Sequence, residues 1–261
     1  MNRSWGVRLS MTAAASALSL AFITGCSSDS DSGDKSEDTA DTKASPTAPV
    51  APAGKASTAA ELKKLLLVAG DVTGYATDGS EALLPKSKDQ GKVDKTECSP
   101  LLWSTLGLPP GDTTVSANTA LKEEKKAGGS GELSATAALA NTRTLIGLSS
   151  YEGDGATKAM KAVSDSITAC SGGFTSTDAD GEPTKITKVT AEKGTGGGDE
   201  ALAFVEAVDI EGTTVPVHGE VIRKGNTVAT FYSLNLAAFA GQGESPKNPP
   251  ALITAQLAKL K

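Results

Sequence analysis

The residues of this chain that could do chemistry are few, and their spacing argues against catalysis. His218 is the single histidine. With no second histidine or nearby cysteine it cannot complete a zinc site, so it reads as an ordinary strand residue, ahead of metal binding or pH sensing. Nucleophilic catalysis needs a base beside Ser, Thr or Cys, and one histidine offers little. A Ser-x-x-Lys pattern occurs at Ser32 to Lys35, in a stretch too polar to fold. Gly128-Gly129-Ser130-Gly131 is no nucleophile elbow, which would need glycine where Glu132 stands. Asp29-Ser30-Asp31-Ser32-Gly33-Asp34 has its glycine one place early for a calcium loop. Ser176-Thr177-Asp178-Ala179-Asp180-Gly181 copies only the first half of one, because Thr187 stands where a bidentate glutamate is required. That second stretch reads as an acidic turn. No glycine pattern that cradles phosphate is followed by Lys-Ser or Lys-Thr. The expectation is a chain that is not an enzyme and needs no cofactor or metal, with paired acids cleaving a glycan as the catalytic alternative.

Cys26 is the cysteine with a chemical context of its own. Arg3 and Arg8 give a positive start, Leu9 to Ile23 an apolar middle too short to span a bilayer comfortably, and Thr24-Gly25 small residues before the cysteine. Ile23-Thr24-Gly25-Cys26 resembles the bacterial lipobox family. That resemblance implies cleavage before Cys26 and a diacylglycerol on its sulfur, the alternative being an ordinary secretory signal cut elsewhere. The expected partner is then the membrane, reached through the lipid on Cys26, with the chain on its extracytoplasmic side. Two acyl chains on one residue anchor firmly where a single chain is marginal.

Removing residues 1–25 takes away two arginines and no acid, which moves the formal charge from −6 to −8. A net acidic chain without a basic cluster has no footprint for nucleic acid. Residues 26–56 are rich in Ser, Asp, Thr, Ala and Pro, cannot repay the entropy of folding, and read as a disordered, acidic and then Pro-stiffened spacer. With Cys26 assigned to lipid, Cys98 and Cys170 remain, and an exported chain would pair them. Two buried free thiols are the alternative. A bridge between them would contribute about 4 kcal/mol by the chain-entropy model.

The elements that must position these groups begin at Thr58-Ala59-Ala60-Glu61, whose spacing is that of a capping box. Leu62, Leu65, Leu66 and Ala69 continue a helical face that Gly70 should close. Tyr75 to Asp94 reads as loop. Ser99-Pro100 opens a short helix ending before Gly107 and Pro109-Pro110, with Trp103 expected to pack in the core beside Cys98, ligand stacking being its other use. Thr113 to Lys122 and Leu133 to Tyr151 read as antiparallel strands about the Gly128 to Gly131 turn. Ala156, Ala159, Met160, Val163, Ile167 and Cys170 recur at helical spacing, and Ile186 and Val189 mark a short strand.

Ala201 to Ile210, Thr213 to Arg223 and Asn226 to Leu236 then form two hairpins about Glu211-Gly212 and Lys224-Gly225. This register sets Val208 opposite Val215, Leu202 opposite Val221, Val217 opposite Tyr232, Val221 opposite Val228, and Phe204 opposite Gly219, where an aromatic covers a missing side chain. Moving the second turn to Gly225-Asn226 shifts the pairing by two residues and keeps the faces. Glu206 lands on the apolar face, opposite Val217 and in one lateral row with Tyr232. A buried carboxylate is costly unless it reaches the rim or bonds Tyr232; otherwise Glu206 and Tyr232 are candidate ligand-binding residues of an apolar cleft.

A last helix starts at Pro249-Pro250. The expected architecture is α+β: an antiparallel sheet of about five or six strands with helices packed on one face and a disulfide staple, over residues 57–261. Several segments carry a wider likeness: Leu65-Leu66-Leu67 before Asp71-Val72-Thr73-Gly74-Tyr75, Cys98-Ser99-Pro100, Ile146-Gly147-Leu148 with Tyr151, the helix into Cys170, and Arg223-Lys224-Gly225-Asn226. This layout, over about residues 58–240, resembles actinobacterial lipoproteins similar to the extracellular sensor domain of PknH-type serine/threonine kinases. The resemblance implies an antiparallel sheet with helices forming a cleft, a disulfide at the helix ending in Cys170, and ligand sensing. The chain departs from those kinases in having no kinase or cytoplasmic part, so any signal would pass through a partner. Two readings follow: a ligand-binding or sensor lipoprotein holding a small or lipidic envelope molecule, or a module that docks on another envelope protein and binds no small molecule.

Overall fold

Among the residues the structure describes, alternating apolar residues build one antiparallel sheet of nine strands. The computed structural model describes residues 55–79, 84–124, 141–241 and 244–260. Residues 1–25, the Cys26 anchor, nearly all of the 26–56 spacer and the Gly128 to Gly131 turn lie outside them. In chain order the strands are β1 (Tyr75–Thr77), β2 (Gly91–Val93), β3 (Ser116–Glu123), β4 (Arg143–Ser150), β5 (Phe174–Asp178), β6 (Pro183–Glu192), β7 (Glu200–Ile210), β8 (Thr213–Lys224) and β9 (Thr227–Leu234). Across the sheet they run β1-β3-β4-β9-β8-β7-β6-β5-β2.

The sheet is wider than the five or six strands expected. β1 and β2 have three residues each and sit at the two edges, inside the stretch read as loop. Three residues cannot display the alternation by which strands are recognised. β5 begins at Phe174 and runs into the first half of the stretch read as an acidic turn, Ser176 to Gly181. The turn itself is real but later: Asp178 Oδ1 accepts from the amides of Asp180 (3.0 Å) and Glu182 (2.9 Å), closing the hairpin into β6.

The helices also depart from expectation, covering both faces. Helix α1 (Ala59–Leu65) and helix α5 (Pro250–Lys259) pack Leu62, Leu252 and Ile253 on Ile146, Ile222 and Phe231. Helix α2 (Ser99–Thr105) and helix α3 (Gly155–Ala169) pack Leu101, Met160 and Val163 on Phe204, Val217 and Val221. Val221 and Ile222 are adjacent in β8 and both fully buried, so this central strand is apolar on both sides. A strand of that kind needs a layer on each face. A short helix, α4 (Leu236–Phe239), follows β9.

Thr58 and Glu61 form the expected capping box, with Thr58 N–H donating to Glu61 Oε2 at 2.7 Å and Glu61 N–H to Thr58 Oγ1 at 3.3 Å. The helix stops at Leu65 instead of continuing to Gly70, because the chain turns extended at Leu66 and buries Leu66 and Leu67 together. Helix α5 supports that exit. The buried Gln256 amide accepts from Leu67 N–H (3.1 Å) and donates to Leu65 C=O (2.8 Å), while Lys259 Nζ donates to Leu66 C=O (3.0 Å) and pairs with Asp71.

Cys98 and Cys170 are bonded, with Cα atoms 5.9 Å apart. The bridge joins the start of α2 to the end of α3, and Ser166 Oγ reinforces the junction by donating to Glu97 C=O at 2.6 Å. Trp103 does not take the expected core place beside Cys98. Leu101, three residues on from Cys98, points inward instead, and Trp103 is left half-buried with Lys88 Nζ 3.9 Å from its ring centroid.

Candidate functional site

The β7–β8 hairpin has the register read from sequence: Val208 pairs with Val215, Phe204 with Gly219, Leu202 with Val221 and Glu206 with Val217. An added Cβ at Gly219 would lie 2.4 Å from Phe204, so the ring occupies the space of the missing side chain. The β8–β9 hairpin turns at Gly225-Asn226 instead of Lys224-Gly225, so Lys224 pairs with Thr227, Val221 with Thr230 and Gly219 with Tyr232. The reason is local. Gly225 holds φ +57°, the first-position requirement of a type II′ turn, whereas a turn centred on Lys224 would ask lysine for a left-handed conformation. Tyr232 therefore shares a lateral row with Phe204, and Glu206 lies one row over, a diagonal neighbour. The facing of both residues is unchanged, as the period-2 argument requires.

Glu206 and Tyr232 line one cleft of about 370 Å³, within the size range of small-molecule sites. Its floor is sheet: Ile186 from β6, Glu206 and Val208 from β7, and Phe174 from β5. One wall is α2, through Leu102 and Leu106, and another is the end of β9, with Phe239 of α4 beside it. The β8–β9 pairing ends at His218–Ser233 while β9 stays paired with β4 through Leu234, so the cleft lies where β9 parts from β8. Phe174, Phe239 and the α2 leucines escaped the sequence reading. Phe174 stands directly after Gly172-Gly173, ahead of the stretch read as an acidic turn, and α2 is brought there by the Cys98–Cys170 bridge and by packing on α3 and the sheet, all distant in sequence.

The Glu206 side chain is buried, at 5% exposure, and its Oε1 has no hydrogen-bond partner among the described residues. Neither a rim position nor a bond to Tyr232 satisfies that oxygen. Loss of water pushes its pKa up to about 8, so the group is mostly protonated at neutral pH. Burial, and then the Glu206 carboxyl, push the Tyr232 phenol well above its ordinary value. The arrangement is a neutral acid, able to donate or accept, at the bottom of an apolar hollow.

A second hollow of about 440 Å³ lies between α2 and α3, beside Trp103. Ser166 Oγ there bonds Glu97 C=O and Ala162 C=O, and the half-buried Lys88 donates from Nζ to Gly111 C=O at 2.7 Å. His218 sits on the opposite face of the sheet from Glu206, with Nδ1 2.8 Å from Glu192 Oε1. Asn248 donates to His218 C=O (3.1 Å) and Phe231 C=O (3.3 Å), tying the segment before α5 to β8 and β9.

Fold and cleft together define a class: a disulfide-stapled α+β domain with helices on both faces of a wide antiparallel sheet and one apolar hollow holding an unsatisfied acid. No helix among the described residues is long and apolar enough to cross a membrane. No protein-family model matches the chain, and no curated protein matches it. Among solved structures it is similar to the extracellular domain of PknH from Mycobacterium tuberculosis, at 13% identity over 78% of this chain and 97% of that one, with a TM-score of 0.45.

Proposed function

We propose that this chain is an extracytoplasmic ligand-binding or sensor-type lipoprotein, anchored through diacylglycerol on Cys26 after loss of residues 1–25, with residues 26–56 as spacer and residues 57–261 as the binding domain. The observation that carries the binding role is the Glu206 oxygen left without a partner at the floor of the cleft. Leaving a buried polar atom unsatisfied is costly, and a ligand that supplied the missing hydrogen bond would recover that cost. Glu206 is assigned to binding and not to catalysis, because no nucleophile or base is hydrogen-bonded to that oxygen among the described residues. The docking-module reading wants a contiguous exposed apolar patch. The large apolar side chains exposed among the described residues are Val68 and Leu236, and Leu236 belongs to the short helix whose Phe239 lines the cleft.

The test is native mass spectrometry of the protein isolated from its own host's envelope, with a Thr184→Trp variant beside it. Thr184 is exposed and lines the cleft mouth, so tryptophan there blocks entry without touching the core. An extra mass on the wild type that is lost on denaturation, and absent from the variant, is the expected result. Equal extra mass on both proteins, or a bare wild type, overturns the assignment of the cleft.

A further inference from the structure

Two features of the cleft restrict what it can hold. The first is charge. Glu206 and Asp178 are among its lining residues, and among the described residues no lysine, arginine or histidine lines it. An anionic ligand such as a fatty acid or phosphate would enter without a counter-charge and would meet acids, which disfavours it strongly in a desolvated site. The second is aromatic content. The whole chain has five Phe, three Tyr and two Trp, yet Phe174, Tyr232 and Phe239 all line this one cleft. The sheet register sets them about Glu206. Phe174 lies on one side, reached through Ile186 and Val208, and Tyr232 lies on the other, reached through Gly219 and Phe204. Aromatic faces attract cations, above all when water is excluded.

We propose that the cleft binds an organic ammonium, its cationic nitrogen held by the Glu206 carboxylate among Phe174, Tyr232 and Phe239, and its apolar substituents lying against Leu102, Leu106 and Val208. The inference rests on the ligand-binding reading of the cleft and names the chemistry of its ligand. A cation also explains the lone carboxyl. In the empty cleft Glu206 keeps its proton, since burial raises its pKa to about 8. A permanently charged ammonium displaces that proton to solvent and takes its place, so binding releases a proton below that pH. The titratable lining groups are Glu206, Asp178 and Tyr232, and Tyr232 stays neutral throughout. Asp178 is engaged by the amides of Asp180 and Glu182 in the hairpin turn.

The experiment compares three probes on the purified full chain by NMR titration: choline, its uncharged carbon isostere 3,3-dimethylbutan-1-ol, and octanoate. Choline and the isostere share one shape and differ in charge, so their affinity ratio reads the cation alone. The expected ratio is at least about tenfold in favour of choline, a value typical of a desolvated cation site. Choline affinity should rise about fiftyfold between about pH 6 and about pH 8 and level off about twofold higher, by proton linkage at one group. Glu206→Gln should abolish the pH dependence and cut the choline preference to what the aromatic rings alone supply. Phe239→Leu, at a half-buried position on α4, should weaken choline more than the isostere, and provides a second variant should Glu206→Gln fail to fold. Equal binding of choline and isostere, or tightest binding by octanoate, overturns the ammonium and leaves the cleft a ligand site. Failure of all three probes to bind overturns the ammonium and, joined to a bare native mass, the binding role as well.

Discussion

Replacing Glu206 by glutamine should make the protein more stable at alkaline pH and leave it nearly unchanged in acid. The carboxyl has a pKa raised from 4.5 to about 8 by burial. Between those values the native state holds a proton that the unfolded chain has lost, so raising the pH favours unfolding. The contribution is fully present below 4.5 and is lost as pH rises through about 8. Each pH unit in that window costs the native state about 1.4 kcal/mol, and the whole window up to about 5 kcal/mol, a large share of a typical domain's stability. Glutamine has nearly the same shape and no charge to desolvate. Urea unfolding of wild type and Glu206→Gln at about pH 5, 6.5 and 8.5 reads the effect, because every other titrating group cancels in the difference. The variant should gain on the wild type by several kcal/mol across the series. Parallel curves, with a constant difference at all three pH values, would show that Glu206 titrates as an ordinary surface acid and refute the account of a dry, unpartnered carboxyl.

Two further perturbations probe the frame around the cleft. The Cys98–Cys170 bridge closes a loop of 72 residues, so replacing both cysteines by serine should cost about 4 kcal/mol by the chain-entropy model. Because α2 is one wall of the cleft, the same change should weaken ligand or probe binding even where the protein remains folded, a loss measurable by titration below the unfolding midpoint. Gln256→Leu keeps the volume of a fully buried side chain and removes its two hydrogen bonds, leaving Leu67 N–H and Leu65 C=O without their partner. A loss of about 3 kcal/mol is expected in urea unfolding, with faster amide exchange at Leu67 as the local signature.

The parts of this fold that sequence reveals are those set by neighbours along the chain. Thr58 and Glu61 cap one another because they are three apart, and Val208 meets Val215 because Glu211-Gly212 leaves a hairpin little choice. Glu211 and Gly212 both hold positive φ, as such a turn demands. Facing was legible for the same reason: Glu206 falls on the apolar side whichever way the second hairpin turns. The row of Tyr232 was not, since the stretch Lys224-Gly225-Asn226 accommodates two turns, and the conformational freedom of Gly225 decides between them. Three-residue edge strands carry no readable period, and Phe174 is recognised as a strand residue only when β6 lies beside it. The second helical layer was hidden because a strand apolar on both sides and one apolar on a single side differ by a few residues, such as Ile222 and Ala229, scattered among polar ones. The walls of the cleft come from segments far apart in the chain, and no local pattern announces that they meet.

The clamp by which α5 holds the end of α1 makes the upper face of this sheet a test of completeness. Gln256 and Lys259 reach residues 65 to 71 across about 190 positions of chain. Until residues 250–260 have been made and delivered, Leu62, Leu66, Ile146 and Phe231 have no covering helix from that side and present apolar surface to whatever inspects unfinished chains. The other face needs no helix that late, since its bridge and its long helix are finished by Cys170 and it closes once β6 to β9 lie against them. A nick or a premature stop before Pro249 would thus uncover apolar surface on the side of the sheet opposite the cleft.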